Sequence, residues 1–216
     1  MGQGGEQRCR AGGSDEELTR ALGGARGGDE AAFAIVYRCV QPGLLGYLRG
    51  LVREDAEDVA SEAWLQIVRD LGRFRGGGAD FRRWSATVAR HRAIDHLRRQ
   101  KSRPRASLLE WDAFALPAAD DTAGEVVESM TTSRVLGLVA ELPPDQGEAV
   151  LLRVVVGLDG AAAARVLGKR PGAVRSATYR GLRRLARQLE VTGPSRRRTT
   201  GGEYAVRRER RVCVEC

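Results

Sequence analysis

Apolar side chains recur at intervals of three and four residues along most of this chain, a period that fits helices and little else. Phe33, Val36, Tyr37, Val40, Leu44, Tyr47, Leu48 and Leu51 form one such stripe. Pro42 lies inside it and is expected to kink or divide the helix, because proline removes a backbone donor. A second helix is expected from about Asp55 to Phe74, with Val59, Ala63, Ile67 and Leu71 on its buried face. Its first turns are acidic, where the helix dipole favours negative charge. The Gly76-Gly77-Gly78 run should stop it. A third helix, roughly Phe81 to Gln100, is expected to bury Trp84, Val88, Ala89, Ile94 and Leu97 and to turn a basic face outward.

Periodicity then disappears from Lys101 to about Asp121, where Pro104, Pro117 and scattered acids mark a linker. It returns from Glu125 to Leu142, breaks at Pro143-Pro144, resumes from Asp145 to Val156 and splits into two short helices around Gly168. Strand signals are nearly absent; Val154-Val155-Val156 is β-prone but lies within a helical period. The fold class expected is all-α, with two small helical domains joined by a flexible linker. Near the start, Ser14 and Glu17 have capping-box spacing and open a short helical piece within an otherwise Gly-rich, flexible extension. Val191 to Cys216 reads as a disordered, Arg-rich tail.

Thirty-six Lys and Arg against 28 Asp and Glu give the 216 residues a formal net charge of +8. That excess points to a polyanionic partner, nucleic acid first and an anionic membrane surface second. Met1 to Gly13 lacks the apolar core of a signal peptide, and the longest apolar run noted, Ala149 to Val156 with Arg153 inside it, is too short to cross a bilayer. No membrane insertion and a cytoplasmic location are therefore expected. Cys9, Cys39, Cys213 and Cys216 make no disulfide framework in a chain this long. The closing Cys213-Val214-Glu215-Cys216 has the spacing of a redox pair or half a zinc site, but the other half is missing, so an ordinary tail is the favoured reading.

The strongest local pattern runs from Asp159 to Leu189. Asp159 can cap a helix through Leu167, Gly168 can take the left-handed stop, and Pro171 suits the first turn of the next helix. That is a helix-turn-helix, whose second helix enters the major groove. From Arg165 to Arg187 there are eight basic residues and no acidic one, while Val174, Ala177, Leu182, Leu185 and Leu189 can face a core. Arg175, Ser176, Tyr179 and Arg180 share an exposed face that can reach base edges or phosphates; Lys169, Arg170 and Arg183 are better placed to grip phosphate.

A second surface precedes it. Phe81 to Arg105 holds nine basic residues and one acidic residue, Asp95, interleaved with Phe81, Trp84, His91 and His96. Such a helix can hold single-stranded DNA, with rings stacked on bases and cations along the backbone; for Trp84 alone a core role is the commoner outcome. The acidic patch Glu54, Asp55, Glu57, Asp58 and Glu62 would repel DNA and suits a basic protein partner, or simply stabilises a helix start. No phosphate-binding glycine loop, nucleophile constellation or complete metal site is legible, so no catalytic residue, cofactor or metal is assigned.

Taken together, Gly28-Asp29-Glu30-Ala31-Ala32-Phe33, Asp55 to Trp64, and Phe81-Arg82-Arg83-Trp84 through Arg99 resemble domain two of sigma factors of the extracytoplasmic-function (ECF) type. Leu142-Pro143-Pro144-Asp145-Gln146 through Arg153, followed by Gly172-Ala173-Val174-Arg175-Ser176, resembles sigma domain four. The resemblance implies a flexible extension over 1–24, sigma domain two over 25–101, a linker over 102–124, sigma domain four over 125–190 and a disordered basic tail over 191–216. It further implies that Asp58, Ser61 and Glu62 dock on core RNA polymerase, and that Arg82, Arg83, Trp84, Arg90, His91 and Asp95 serve the minus-ten promoter element. Lys169, Arg170, Arg175, Ser176, Tyr179, Arg180 and Arg183 would serve the minus-thirty-five element. Relatives often have an anti-sigma factor, which makes one an expected partner beside core polymerase and promoter DNA. Three positions depart from the family pattern: Ser61 stands where Gln is usual, His91 where Asn is common, and the helix after Asp159 is nearly all Ala. The rival reading is a helix-turn-helix regulator that binds duplex without joining polymerase.

Overall fold

The computed structural model describes residues 14–102 and 135–192. All secondary structure among them is helical. The first unit consists of α1 (Asp15–Arg26), α2 (Glu30–Val52), a 3-10 turn (Arg53–Asp55), α3 (Ala56–Leu71) and α4 (Gly78–Ser102). The second consists of α5 (residues 135–140), α6 (Pro144–Val150), a π-helical turn (Leu151–Val155), α7 (Gly160–Leu167) and α8 (Pro171–Thr192).

Local chemistry explains most of the helix starts. Ser14 Oγ accepts from the Glu17 amide at 3.1 Å, and Asp29 Oδ1 accepts from the Ala31 and Ala32 amides at 2.9 and 3.1 Å. Each satisfies donors that a helix N-terminus leaves unpaired. Helix α1 corrects the expectation of a flexible extension over 1–24 as far as residues 14–24 are concerned. Leu18 and Leu22 are fully buried against α2 and α4, and Thr19 Oγ1 accepts from the Gly78 amide at 2.7 Å. The i, i+4 pair Leu18 and Leu22 outweighs the surrounding glycines.

Helix α2 runs unbroken through Pro42, so the expected division does not occur. Pro42 faces solvent, as does Arg38, whose carbonyl loses its helical donor and can take one from water. The segment from α2 into α3, Glu30–Leu71, is by length and composition long and apolar enough to cross a bilayer, a longer stretch than Ala149 to Val156. Its Val36, Val40, Leu44, Tyr47 and Leu48 instead fill the core of the unit.

Helix α3 buries Val59, Ala63, Ile67 and Leu71 as expected. Helix α4 starts earlier than expected and seats itself differently. Its buried seam is Phe81, Ser85, Ala86, Ala89 and Ala93, whereas Trp84, Val88, Ile94 and Leu97 are half-buried at the margins. Small side chains let the helix axis come close to its neighbours, which pushes the larger apolar groups to the edges. Ser85, the buried polar residue of this seam, donates to the Phe81 carbonyl at 2.8 Å.

In the second unit α8 lies across α6 and α7 and buries Val174, Ala177 and Leu185. Leu182 and Leu189, expected in that core, are exposed. Gly181 takes the buried place; a Cβ there would sit 2.7 Å from Val150 Cγ2. The two units also meet. Gly43, Gly46 and Gly50 on α2 face the π-helical turn, and α7 rests on α4. A Cβ on Gly46 would stand 2.7 Å from Val155 Cγ1, so this close approach requires the missing side chain. Most of the linker expected over 102–124, the first ten residues of the domain expected over 125–190, and Cys213 and Cys216 lie outside the described residues. Of the tail expected over 191–216, residues 191 and 192 continue α8.

Candidate nucleic-acid interface

The helix-turn-helix is built by three local devices. Asp159 Oδ1 accepts from the Ala162 amide at 2.7 Å, and this hydrogen bond holds its carboxyl below the usual range. Gly168 adopts φ 64°, ψ 30°, the left-handed conformation that ends α7, with the Lys169 amide donating to the Ala164 carbonyl at 3.0 Å. Pro171 then opens α8, its fixed φ suited to a first turn. Arg175, Ser176, Tyr179, Arg180 and Arg183 emerge on the exposed side of α8, with Lys169 and Arg170 exposed in the turn. Tyr179 is 61% exposed and lies 5.8 Å from the Arg183 guanidinium in cation–π contact. Lys169 Nζ pairs with Asp145 at 2.6 Å and holds that carboxyl low.

Helix α4 presents a different picture. Arg82, expected at DNA, is turned inward: its Nε donates to Asp15 Oδ1 and an Nη to the Cys39 carbonyl, both at 2.9 Å. It ties α1 to α2, and with its side chain only 13% exposed this structure gives it no outward reach. Arg83 pairs with Asp80 at 3.3 Å. Trp84 stacks on Phe74 with ring centroids 5.2 Å apart and 28° between planes, and packs against Phe81. His91 is exposed, and Arg90 and Asp95 are half-buried beside it.

These last three residues share a cleft of about 620 Å³ with Gln66, Val88, Arg92, Ile94 and Arg98. Arg92 donates to Gln66 Oε1 at 2.8 Å, fixing the cleft floor between α3 and α4. Gln66, Arg92 and Arg98 are not among the site residues that the sequence suggests. The signal is present for Arg92, since Val88, His91, Arg92 and Asp95 recur at the spacing of one helical face. His96 does not join them; its Nε2 lies 3.0 Å from Asp55 Oδ2, which also accepts from Gln100 at 2.7 Å. The structure thus brings Arg90, His91 and Asp95 together and leaves Arg82, Arg83 and Trp84 outside the cleft.

The acidic face of α3 is partly engaged within the fold. Glu57 pairs with Arg49 at 2.7 Å, which lowers its carboxyl, and Glu62 pairs with Arg99 at 3.2 Å. Ser61 Oγ donates to the Glu57 carbonyl at 2.9 Å. Asp58 is exposed and makes no ion pair among the described residues. Following Asp58, Ser61 and Glu62 down the same side, Leu65 is 59% exposed and Val68 51% exposed. This apolar continuation is also absent from the sequence expectations, although both positions run out of phase with the buried Val59, Ala63, Ile67 and Leu71.

Comparison with known proteins gives a consistent pattern. The Sigma-70 region 2 family matches residues 36–103, and the Sigma-70, region 4 family matches residues 132–185. The chain is 34% identical over 168 residues to the ECF RNA polymerase sigma factor BldN of Streptomyces coelicolor, covering 76% of this chain and 63% of that one. It is 32% identical over 188 residues to the ECF RNA polymerase sigma factor SigD of Mycobacterium tuberculosis, covering 82% of this chain and 86% of that one. Among solved structures, CnrH in complex with the cytosolic domain of CnrY superposes with a TM-score of 0.56 at 20% identity, over 82% of this chain and 99% of that one. The sigma factor RpoE from Bartonella quintana, solved with the anti-sigma factor NepR, gives 0.53 at 21% identity, over 74% and 97%. These two show the fold.

Proposed function

Because the chain belongs to the ECF group of sigma-70 family RNA polymerase sigma factors, we propose that it joins core polymerase and directs it to promoters through three separate surfaces. Asp58, Ser61 and Glu62, extended by Leu65 and Val68, meet polymerase. Arg90, His91, Asp95 and Arg92 around the α4 cleft take unpaired bases of the minus-ten element, with Trp84 and Arg83 at its border. Arg175, Ser176, Tyr179 and Arg180 read the minus-thirty-five element in the major groove, with Lys169, Arg170 and Arg183 on phosphate.

The observation that carries this reading is the division of cationic surface between two helical units, an exposed helix face on one and a cleft on the other. A duplex reader needs only the first. A cleft with polar and apolar walls suits a base removed from its stack. Opening duplex costs about 1.4 kcal/mol per stacked step, so several trapped bases must be stabilised together, which favours a polymerase-bound assembly over the isolated chain. The protein acts without catalytic chemistry of its own, in the cytoplasm where polymerase works. Control by an anti-sigma protein covering its polymerase-facing surfaces belongs to the same proposal.

Run-off transcription with purified core polymerase and candidate promoters tests the reading. New start sites should appear only when this chain is added, with promoter thymines becoming permanganate-reactive. A protein that bound duplex DNA but neither core polymerase nor melted promoter would overturn it in favour of a plain regulator.

A further inference from the structure

One charged contact links the two units. Glu148 on α6 is received by Arg90 of α4, with Nε to Oε1 at 2.6 Å and Nη2 to Oε2 at 3.4 Å. Tyr47 of α2 donates its hydroxyl to the same Oε1 at 2.9 Å. The side chains of Arg90 and Glu148 are 23% and 18% exposed, so water screens the pair weakly. Burial, and then the neighbouring Glu148 charge, push the Tyr47 hydroxyl far above its usual range, which keeps it a donor. Beside this triad the glycine face of α2 admits the turn of the second unit: a Cβ on Gly43 would lie 3.3 Å from the Val155 carbonyl oxygen, and one on Gly50 2.5 Å from Leu151 Cδ1. Arg90 also lines the α4 cleft.

We propose that this contact is a self-inhibitory latch, in which Glu148 of the second unit occupies Arg90 and holds negative charge at the edge of the base-binding cleft until polymerase draws the units apart. The inference rests on the reading of the cleft as a minus-ten site. Its physical content is that the Nε–Nη2 edge of Arg90 cannot grip a carboxylate and a nucleic-acid oxygen at once, and that the carboxylate beside it repels phosphate. A free chain in the closed state therefore presents its duplex-reading helix while its cleft is partly neutralised. Opening costs the partly buried ion pair, and an unpaired Glu148 in water is readily solvated. The closed form is thus held by a contact that polymerase can outcompete with larger surfaces.

The test uses the full chain and two variants outside every proposed binding surface. Glu148→Gln removes the charge, and Gly46→Leu blocks the seat of the π-helical turn. Small-angle X-ray scattering should show a larger radius of gyration for both. A short fluorescent single strand should bind about tenfold more tightly to both than to the parent chain, the gain expected if the open form is a minor population. Adding Arg90→Ala to Glu148→Gln should cancel the gain. Unchanged dimensions and unchanged single-strand affinity in both variants would overturn the latch. Run-off transcription separates this from failure of the sigma-factor reading, because a latch-free sigma factor still starts RNA, whereas a parent chain that starts none removes the reading on which the latch depends.

Discussion

Helices α4 and α8 carry similar positive charge and use it differently. On α4 most of the cations have partners inside the fold: Arg82 with Asp15, Arg83 with Asp80, Arg90 with Glu148, Arg98 with Asp95 and Arg99 with Glu62. On α8, Arg175, Arg180, Arg183, Arg184 and Arg187 make no ion pair among the described residues. Basic composition alone would rank the two surfaces as equals. Their pairing leaves these cations of α8 without acidic partners among the described residues, while on the proposed reading α4 would exchange some internal contacts for DNA.

The strongest way to break this comparison is to damage one unit and read the other. Leu22→Ala should lower the stability of the first unit by about 2–5 kcal/mol, the usual cost of truncating a buried leucine, seen as an earlier denaturant midpoint. Duplex binding through α8 should persist. Next in size, Arg175→Ala or Arg180→Ala should each weaken promoter duplex by about 1–3 kcal/mol if it reaches a base, with relaxed sequence preference in a competition assay. Arg82→Ala should cost about 1 kcal/mol of stability through its lost hydrogen bonds, measured by urea titration. At full folding it should leave single-strand affinity unchanged, whereas a large loss would return Arg82 to the DNA surface.

The smallest effect concerns acid. The folded carboxyl of Asp159 is held low by the Ala162 amide, so its contribution is present above the unfolded-chain value and lost as pH falls through the lower folded value. Asp159→Asn keeps a capping oxygen without the titration. The second unit of that variant should therefore show a flatter melting temperature against pH below the ordinary carboxylate range, measured by circular dichroism.

Legibility in the sequence follows the range of the interactions. Asp159, Gly168 and Pro171 act within a few residues, so the helix-turn-helix is readable from the order of amino acids alone. The phase of α3 is equally readable from Val59, Ala63, Ile67 and Leu71. The start of α1 is readable from Ser14 and Glu17, but its docking is obscured because its glycines speak for flexibility while Leu18 and Leu22 matter only once α2 and α4 cover them. The fates of Arg82 and Arg90 depend on Asp15 and Glu148, 67 and 58 residues away, and nothing local distinguishes an arginine destined for DNA from one destined for a carboxylate. Within the α4 core, hydrophobic size points to Ile94 and Leu97, but the decisive property is smallness at Ser85, Ala86, Ala89 and Ala93.

That narrow inner edge of α4 has a practical consequence. Because the helix is seated largely by small side chains, Ser85, Ala86, Ala89 and Ala93, while the exposed His91 stands away from the seat, His91 can be rewritten with little disturbance to the architecture beneath it, whereas Arg92 helps hold α3 through Gln66. If His91 reads a promoter base as proposed, it is an interchangeable letter mounted on a rigid type-block, and a search for altered promoter preference starts there with the block untouched.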